Sequence, residues 1–377
     1  MMFACTQENL LQGLSLVSHI AGKSAHLPIL ANVLMKVEEG SLKLSTTNLE
    51  MAVSAIVRGR VDQPGEYTVP AKLLQDYVSL LSSGKVELAL TEEGLRITAD
   101  DKTTTIKGMP ASEFPLTPKL AREGSYRFQA ETLKQAIGQV AFAVSSSESR
   151  PELSGVSCVF HGEDRGDTLL MAATDSYRLS ERVVALAPGG NVKPAKCIVP
   201  ARALGEIGRI LSAYKDDVGV PEAVEWSITD SQLVLSYGNV ELVSRLIEGS
   251  FPDYRPLIPQ QFKSMFTVAR SELAKAIRAA SLFARQGIYD ILVEIKSSGV
   301  LTVSSSDSGT GAHTTTLKGK LEGEMNKVTL NFKYVSDGLS AMGTEQVTLK
   351  MIDAFSPVVI TGEKMEGFQY IVMPIRQ

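Results

Sequence analysis

The chain has 377 residues, too many for one comfortable core and enough for two or three domains. Hydrophobic residues make up 44% and charged residues 21%, which excludes disordered, collagenous and coiled-coil classes. With 38 Lys+Arg against 42 Asp+Glu the formal charge is -4, so a tight, charge-driven grip on nucleic acid is disfavoured while a locally basic surface is not.

Thr6 opens the first predicted helix, whose apolar positions Leu10, Leu14, Val17 and Ile20 recur at helical spacing. A hairpin follows: Val33 to Val37 turns through Glu38, Glu39 and Gly40 into Leu42 to Ser45. A strand over Tyr67 to Val69 then feeds a helix through Pro70, Ala71 and Lys72, with proline where its missing N–H is harmless. Alternating strands Val86 to Leu90 and Leu95 to Thr98 come next, and Ser112 to Pro115 closes the segment.

The same order then recurs. A helix carrying Leu133, Ile137, Val140 and Val144 precedes a strand pair, Val156 to Phe160 and Leu169 to Ala172, with a longer polar turn from His161 to Asp167. Cys197 to Leu204 repeats the strand–Pro–Ala–helix junction, and Val224 to Ile228 with Leu233 to Leu235 repeats the later strands before Gly249 to Pro252. A third copy starts at Ser271 with Leu273, Ile277, Ala280 and Phe283. It continues through the hairpin Ile291 to Ile295 and Leu301 to Ser304, the junction Thr329 to Val335, and strands Val347 to Met351 and Val358 to Thr361. The period is about 126 residues, a third of the chain and near the modal domain size. The predicted fold class is α+β, three tandem repeats with two helices against antiparallel sheet of about eight strands each. The boundaries fall at 1–120, 121–260 and 261–377.

Three cysteines, Cys5, Cys158 and Cys197, show no CxxC spacing and fit a reducing cytoplasm without disulfides. Glu8 and Asn9 interrupt the first apolar run, so a secretory signal is not expected, and no stretch approaches the roughly 18 to 20 apolar residues of a membrane span. His19, His26, His161 and His313 have no metal-ligand spacing, and Gly309-Thr310-Gly311 lies in a polar loop and not between a strand and a helix. The carboxylate pairs Glu38-Glu39 and Asp216-Asp217 sit in turn-like segments. No metal, cofactor or catalytic constellation is expected. An enzyme such as a hydrolase would need one localised cluster of titratable groups, and the remaining alternative is a β-rich protein-binding scaffold without DNA. Basic residues instead recur on the repeated helices: Lys72, Lys134, Arg202, Arg209, Lys275, Arg278 and Lys333.

Seven stretches in order resemble the bacterial sliding clamps, the beta subunits of DNA polymerase III: Leu27 to Asn32, Thr47 to Met51, Val69 to Lys72, Arg150 to Val156, Ala173 to Leu179, Phe251 to Arg255 and Tyr370 to Arg376. The resemblance spans the whole chain. It implies three DNA-clamp domains per chain and a head-to-tail homodimer, a six-domain ring around double-stranded DNA. The implied partners are the polymerase III catalytic subunit, the clamp loader and other proteins carrying a clamp-binding peptide. It also implies a cytoplasmic, nucleoid-associated location, no cofactor and no membrane. By the same resemblance the DNA-facing residues are Lys23, Lys72, Lys134, Arg150, Arg202, Lys275, Arg278 and Lys333. The implied peptide pocket consists of Leu153, Thr174, Ser176, Tyr177, Arg178, Leu179, Pro252, Leu257, Asn331, Tyr334, Phe355, Pro357, Val372, Met373, Pro374, Ile375 and Arg376. The subunit interface is expected at Thr103, Thr104, Thr105 and Leu282, with Thr314 to Thr316 on the other side. Ser176-Tyr177 stands where a Gly-His pair is familiar in the family, Ser24 where some members carry arginine, and Gln377 where an apolar residue is common.

Overall fold

A computed structural model describes all residues except 23–26, 39, 116–124, 148, 161–166, 215–220, 222 and 377. Lys23, Ser24, His26, Glu39, His161, Asp216, Asp217 and Gln377 therefore lie outside the described residues.

Among the described residues the helices fall two to each third of the chain: α1 (Gln7–Val17), α2 (Ala71–Ser79), α3 (Ala130–Val140), α4 (Ala201–Ala213), α5 (Arg270–Ser281) and α6 (Phe332–Ser340). Each starts where the chain leaves a strand. Thr6 caps α1, its hydroxyl accepting from the Asn9 amide, and the Asn331 side chain caps α6 by accepting from the Lys333 amide. Pro70 occupies the N-cap of α2, directly after strand Gly65–Pro70, and strand Ala195–Pro200 leads into α4 in the same way. Val144 and Phe283, read from sequence as helical, lie beyond the ends of α3 and α5. Both helices stop in a 3-10 or turn segment before the apolar spacing does.

The chain packs as two compact units, and the division runs through the middle third. The first unit comprises Met1–Ala130, Ala187–Lys193 and Glu206–Leu246. Its eight-stranded antiparallel sheet joins strands from two thirds, because Val240–Arg245 pairs with Met51–Arg58, with Leu242 opposite Val53. Its second sheet, of five strands, runs from Arg60–Gln63 through Met2–Thr6 to the edge strand Lys102–Ile106. The buried face of α1, with Leu10, Leu14 and Val17, closes against Met51–Arg58. Gly13 permits this approach, since a Cβ there would stand 2.5 Å from Val57 Cγ2.

The second unit comprises Glu131–Leu186, Pro194–Gly205 and Ile247–Gln377. Its nine-stranded sheet again crosses the repeat, for Arg178–Ala185 pairs antiparallel with Phe368–Val372. A four-stranded sheet has Gly311–Lys318 at one edge. Helices α5 and α6 pack over a core that includes Phe266, Ile277, Ile291, Leu330, Leu339 and Tyr370. A smaller apolar cluster gathers Leu153, Ala172, Leu179, Ile198, Phe251, Tyr254, Val359 and Ile371. The register that sets Leu179 opposite Ile371 builds it, and it underlies the site described next.

Candidate partner-binding site

Strand Thr168–Thr174 reverses into Arg178–Ala185 through a turn fixed by its own side chains. The Asp175 carboxylate accepts from the amides of Tyr177 and Arg178, and the Thr174 hydroxyl both accepts from the Ser176 amide and donates to the Arg178 carbonyl. These bonds hold Ser176 at φ 78, a left-handed conformation that disfavours a residue with a Cβ. The Met373 amide donates to the Tyr177 carbonyl at 2.8 Å, so the chain's last segment is pinned to this turn.

Beside the turn is a cavity of about 200 Å³ lined by Arg150, Thr174, Ser176, Arg178, Leu179, Pro252, Asp253, Tyr254, Leu257, Ile371 and Met373. Three segments form its walls, the 174–179 turn and strand, the 252–257 loop and the terminal strand, and Arg150 joins them from a fourth. Leu179 and Ile371 form its apolar floor, while Leu257 is more than half exposed at its rim. Leucine- and phenylalanine-sized groups gain roughly 1.5–3 kcal/mol each by leaving water for such a surface.

The Arg178 guanidinium is a strut within the protein. It donates to Asp175 Oδ2 (2.9 Å), Asp337 Oδ2 (2.5 Å) and the Phe142 carbonyl (3.0 Å), and lies 4.8 Å from the Tyr334 ring centre. Burial opposes its charge, but Tyr370, Asp337 and Asp175 outweigh burial and hold its pKa above the ordinary arginine value. Arg150 is exposed and bonds Glu152 (3.1 Å) and the Ser176 hydroxyl (3.3 Å), placing a cation at the cavity mouth. The Glu152 carboxyl is held below its usual range by a backbone hydrogen bond and by Arg150.

Of the pocket residues expected from sequence, Thr174, Ser176, Arg178, Leu179, Pro252, Leu257 and Met373 line the cavity. Leu153 is buried in the cluster beneath, and Val372 points into the main core of the second unit. Tyr334 supports Arg178, and Asn331 caps α6. Tyr177, Phe355, Pro357, Pro374, Ile375 and Arg376 are exposed or half-buried and do not line the cavity. Arg150, expected at the DNA surface, is among the residues that line the cavity, as are Asp253, Tyr254 and Ile371, which sequence reading left out. All but Arg150 adjoin residues that were singled out; the missing information was which neighbour in each strand or loop faces inward.

Six of the expected DNA-facing residues lie on helices, Lys72 on α2, Lys134 on α3, Arg202 on α4, Lys275 and Arg278 on α5, and Lys333 on α6, all exposed except Lys134, which is half-buried. Several are tempered by neighbours. Lys72 is 3.3 Å from Asp76, Lys134 is 3.1 Å from Glu131, and Lys333 Nζ lies 3.5 Å from the centre of the Tyr289 ring. Thr103, Thr104 and Thr105 belong to the edge strand Lys102–Ile106, Thr314 to Thr316 belong to the edge strand Gly311–Lys318, and Leu282, just past α5, is 72% exposed. Among the described residues no group of three or more His, Cys, Asp or Glu is placed to hold a metal ion, and no helix is long and apolar enough to cross a membrane.

A repeated α+β chain with a cavity that is largely apolar, open at the rim and lined in part by Arg150 and Arg178 offers a surface suited to the apolar side chains of a ligand. Comparison with known proteins gives the family. The models of the N-terminal, central and C-terminal domains of the DNA polymerase III beta subunit match residues 1–118, 127–253 and 255–376 in that order. The beta sliding clamp of Synechocystis is 30% identical over the whole chain and 99% of its own length, and that of Staphylococcus aureus is 27% identical over 93% of this chain and 92% of its own. The solved beta subunits of Pseudomonas aeruginosa and Thermotoga maritima are each 26% identical with a TM-score of 0.90, covering all of this chain and 100% and 99% of theirs. The chain belongs to the DNA polymerase III beta-subunit family, the beta sliding clamps.

Proposed function

We propose that this chain is the processivity clamp of the replicative DNA polymerase. Two copies associate head to tail, each contributing clamp domains at 1–120, 121–260 and 261–377, and close a ring around double-stranded DNA in the cytoplasm. The protein catalyses nothing itself. It raises the local concentration of the polymerase catalytic subunit, the clamp loader and other peptide-bearing partners at the DNA, each docking through the cavity around Leu179, Tyr254 and Met373.

The observation that carries this reading is the end-to-end match of three successive clamp-domain models to the chain. The charge distribution agrees with it. A ring holds its DNA by topology, so its lumen needs weak, sequence-independent phosphate contacts, and helix cations tempered by Asp76, Glu131 and Tyr289 supply that kind of contact. Lys23, Lys72, Lys134, Arg202, Lys275, Arg278 and Lys333 are assigned this role. Arg150 is better placed to meet an anionic or carbonyl group of the docked peptide.

The test is retention after loading by the cognate loader. The protein stays on nicked circular duplex and runs off the same DNA once it is linearised. Equal loss from both forms, or binding to the partner peptide with no loading on DNA, would instead mark a protein-binding scaffold.

A further inference from the structure

Glu181 is 5% exposed, a carboxylate on the buried side of strand Arg178–Ala185, two residues along from Leu179 and on the same face. Burying a carboxylate is unfavourable unless its oxygens are satisfied, and both are. Tyr254 Oη donates to Oε2 at 2.6 Å, and Gln369 Nε2 donates to Oε1 at 2.8 Å. Gln369 stands directly opposite Glu181 in the sheet.

The two donors belong to the other two walls of the cavity. Tyr254 lines it and carries its loop: Phe251 meets the Tyr254 ring edge-on at 6.2 Å, and the Leu257 amide donates to the Tyr254 carbonyl at 2.9 Å. Pro252, Asp253 and Leu257 are thereby fixed relative to Tyr254. Gln369 lies two residues before Ile371 and four before Met373, both of which line the cavity. One buried side chain therefore ties the 252–257 loop and the terminal strand to the strand that carries Arg178 and Leu179.

We propose that Glu181 is a positioning residue for partner binding, which sets the cavity's shape through Tyr254 and Gln369 without touching the peptide. This rests on the cavity being the peptide site. An apolar side chain at 181 would spare the desolvation of a carboxylate, but it would leave the Tyr254 hydroxyl and the Gln369 amide without this acceptor and release the loop wall. A preformed cavity binds more tightly than one whose wall must be ordered by the ligand.

The experiment measures binding of a fluorescent synthetic pentapeptide with leucine and phenylalanine side chains to the full-length protein, alongside thermal unfolding. E181A weakens binding about tenfold, and Y254F weakens it several-fold. E181Q, which keeps an acceptor for Tyr254 and can meet a reoriented Gln369 amide, stays within about twofold of the unmodified protein. The double variant E181A/Y254F binds no more weakly than E181A, because both changes break one linkage. An E181A variant that does not fold leaves the decision to Y254F and E181Q, each removing or keeping only polar atoms. Unchanged affinity in E181A or Y254F overturns the proposal, as does an E181Q loss as large as that of E181A or full additivity in the double variant. Absence of binding by the unmodified protein overturns the peptide-site reading itself; binding by the unmodified protein with unaffected variants overturns only the role of Glu181.

Discussion

Arg178 and Asp337 are 159 residues apart in sequence and 2.5 Å apart in the structure, joining the turn beside the cavity to helix α6. The two ends of this bond differ in exposure. The Arg178 side chain is largely buried with Asp175 and Tyr334, whereas the Asp337 carboxylate is about half exposed. Removing Arg178 leaves the half-buried Asp175 without its cation and strips a stacked group from Tyr334. R178A is expected to lower stability by about 2–3 kcal/mol, and D337A by under about 1 kcal/mol. R178K cannot reproduce the fork that reaches Asp175, Asp337 and the Phe142 carbonyl together, so it falls nearer R178A than the unmodified protein. Denaturant titration of the three variants checks the order, and equal losses in R178A and D337A would contradict it.

The final segment supports the cavity through few bonds. Truncation after Val372 keeps the pairing of Phe368–Val372 with Arg178–Ala185 but deletes Met373 and the amide bonds from Met373 to Tyr177 and from Ile375 to Thr329. Peptide binding should fall below detection, and loading by the clamp loader should fall with it, while dimerisation persists. Retained peptide affinity in the truncated protein would place the docking site elsewhere.

The two cases differ in how much of them sequence reading could supply. The helices were readable because their apolar period and their caps are local: Thr6 with Leu10 and Leu14, or Pro70 before Ala71, need no knowledge of the rest of the chain. The joining of Val240–Arg245 to Met51–Arg58 was not readable, since each strand alternates correctly and nothing local specifies a partner nearly 200 residues away. The cavity lies between these extremes. Turn residues 174–178 announce themselves by side-chain-to-backbone bonding types, and the resemblance supplied their role. The place of Arg150 in the cavity lining was not legible, because a surface cation reads the same whether it faces phosphate or peptide. Glu181 left one trace, a charge on the apolar face of an alternating strand, whose meaning depends on Tyr254 and Gln369 arriving from elsewhere.

Acid should loosen the region after α5. Partial burial tends to raise the Asp290 carboxyl, but hydrogen bonds and charge from Arg285, whose Nε lies 3.0 Å from Oδ2, outweigh it and leave the group below its ordinary value. A carboxyl depressed in the folded state stabilises fully above its unfolded pKa, about 3.9, and that contribution disappears as pH falls through the folded value. Melting temperatures of the unmodified protein and D290N should therefore differ at neutral pH and converge below about pH 4. A constant difference down to pH 3 would refute the linkage.

The thiols should be silent in the folded protein. Burial pushes the Cys5 pKa up to about 12, and Cys158, opposite Cys197 in the sheet, is raised by its hydrogen bond to that thiol and by burial. All three cysteines are free and buried, and the thiolate is the reactive species. At pH 8 an aromatic disulfide reagent should titrate fewer than one thiol per chain over minutes, and three once the protein is unfolded in guanidinium. Rapid reaction of one thiol in the native protein would show local opening at that strand.

On the proposed reading, ring closure runs through edges that carry threonine where aromatic anchors would give a tight interface. Thr103 to Thr105 and Thr314 to Thr316 sit on edge strands whose unpaired backbone groups can extend a sheet into a second chain, and β-branched residues favour such pairing. Backbone bonds of this kind give register and modest affinity; interface strength usually comes from a few buried apolar or aromatic side chains. Leu282, 72% exposed in the single chain, is placed to act as such an anchor. The dimer should therefore hold at micromolar concentration and dissociate measurably toward nanomolar. L282A should raise the dissociation constant roughly tenfold, the equivalent of about 1.4 kcal/mol, with no change in the melting temperature of the monomer. Sedimentation velocity across that range measures both effects. A monomer at every concentration would remove the ring, and an unchanged constant in L282A would leave the threonine edges to carry the interface alone.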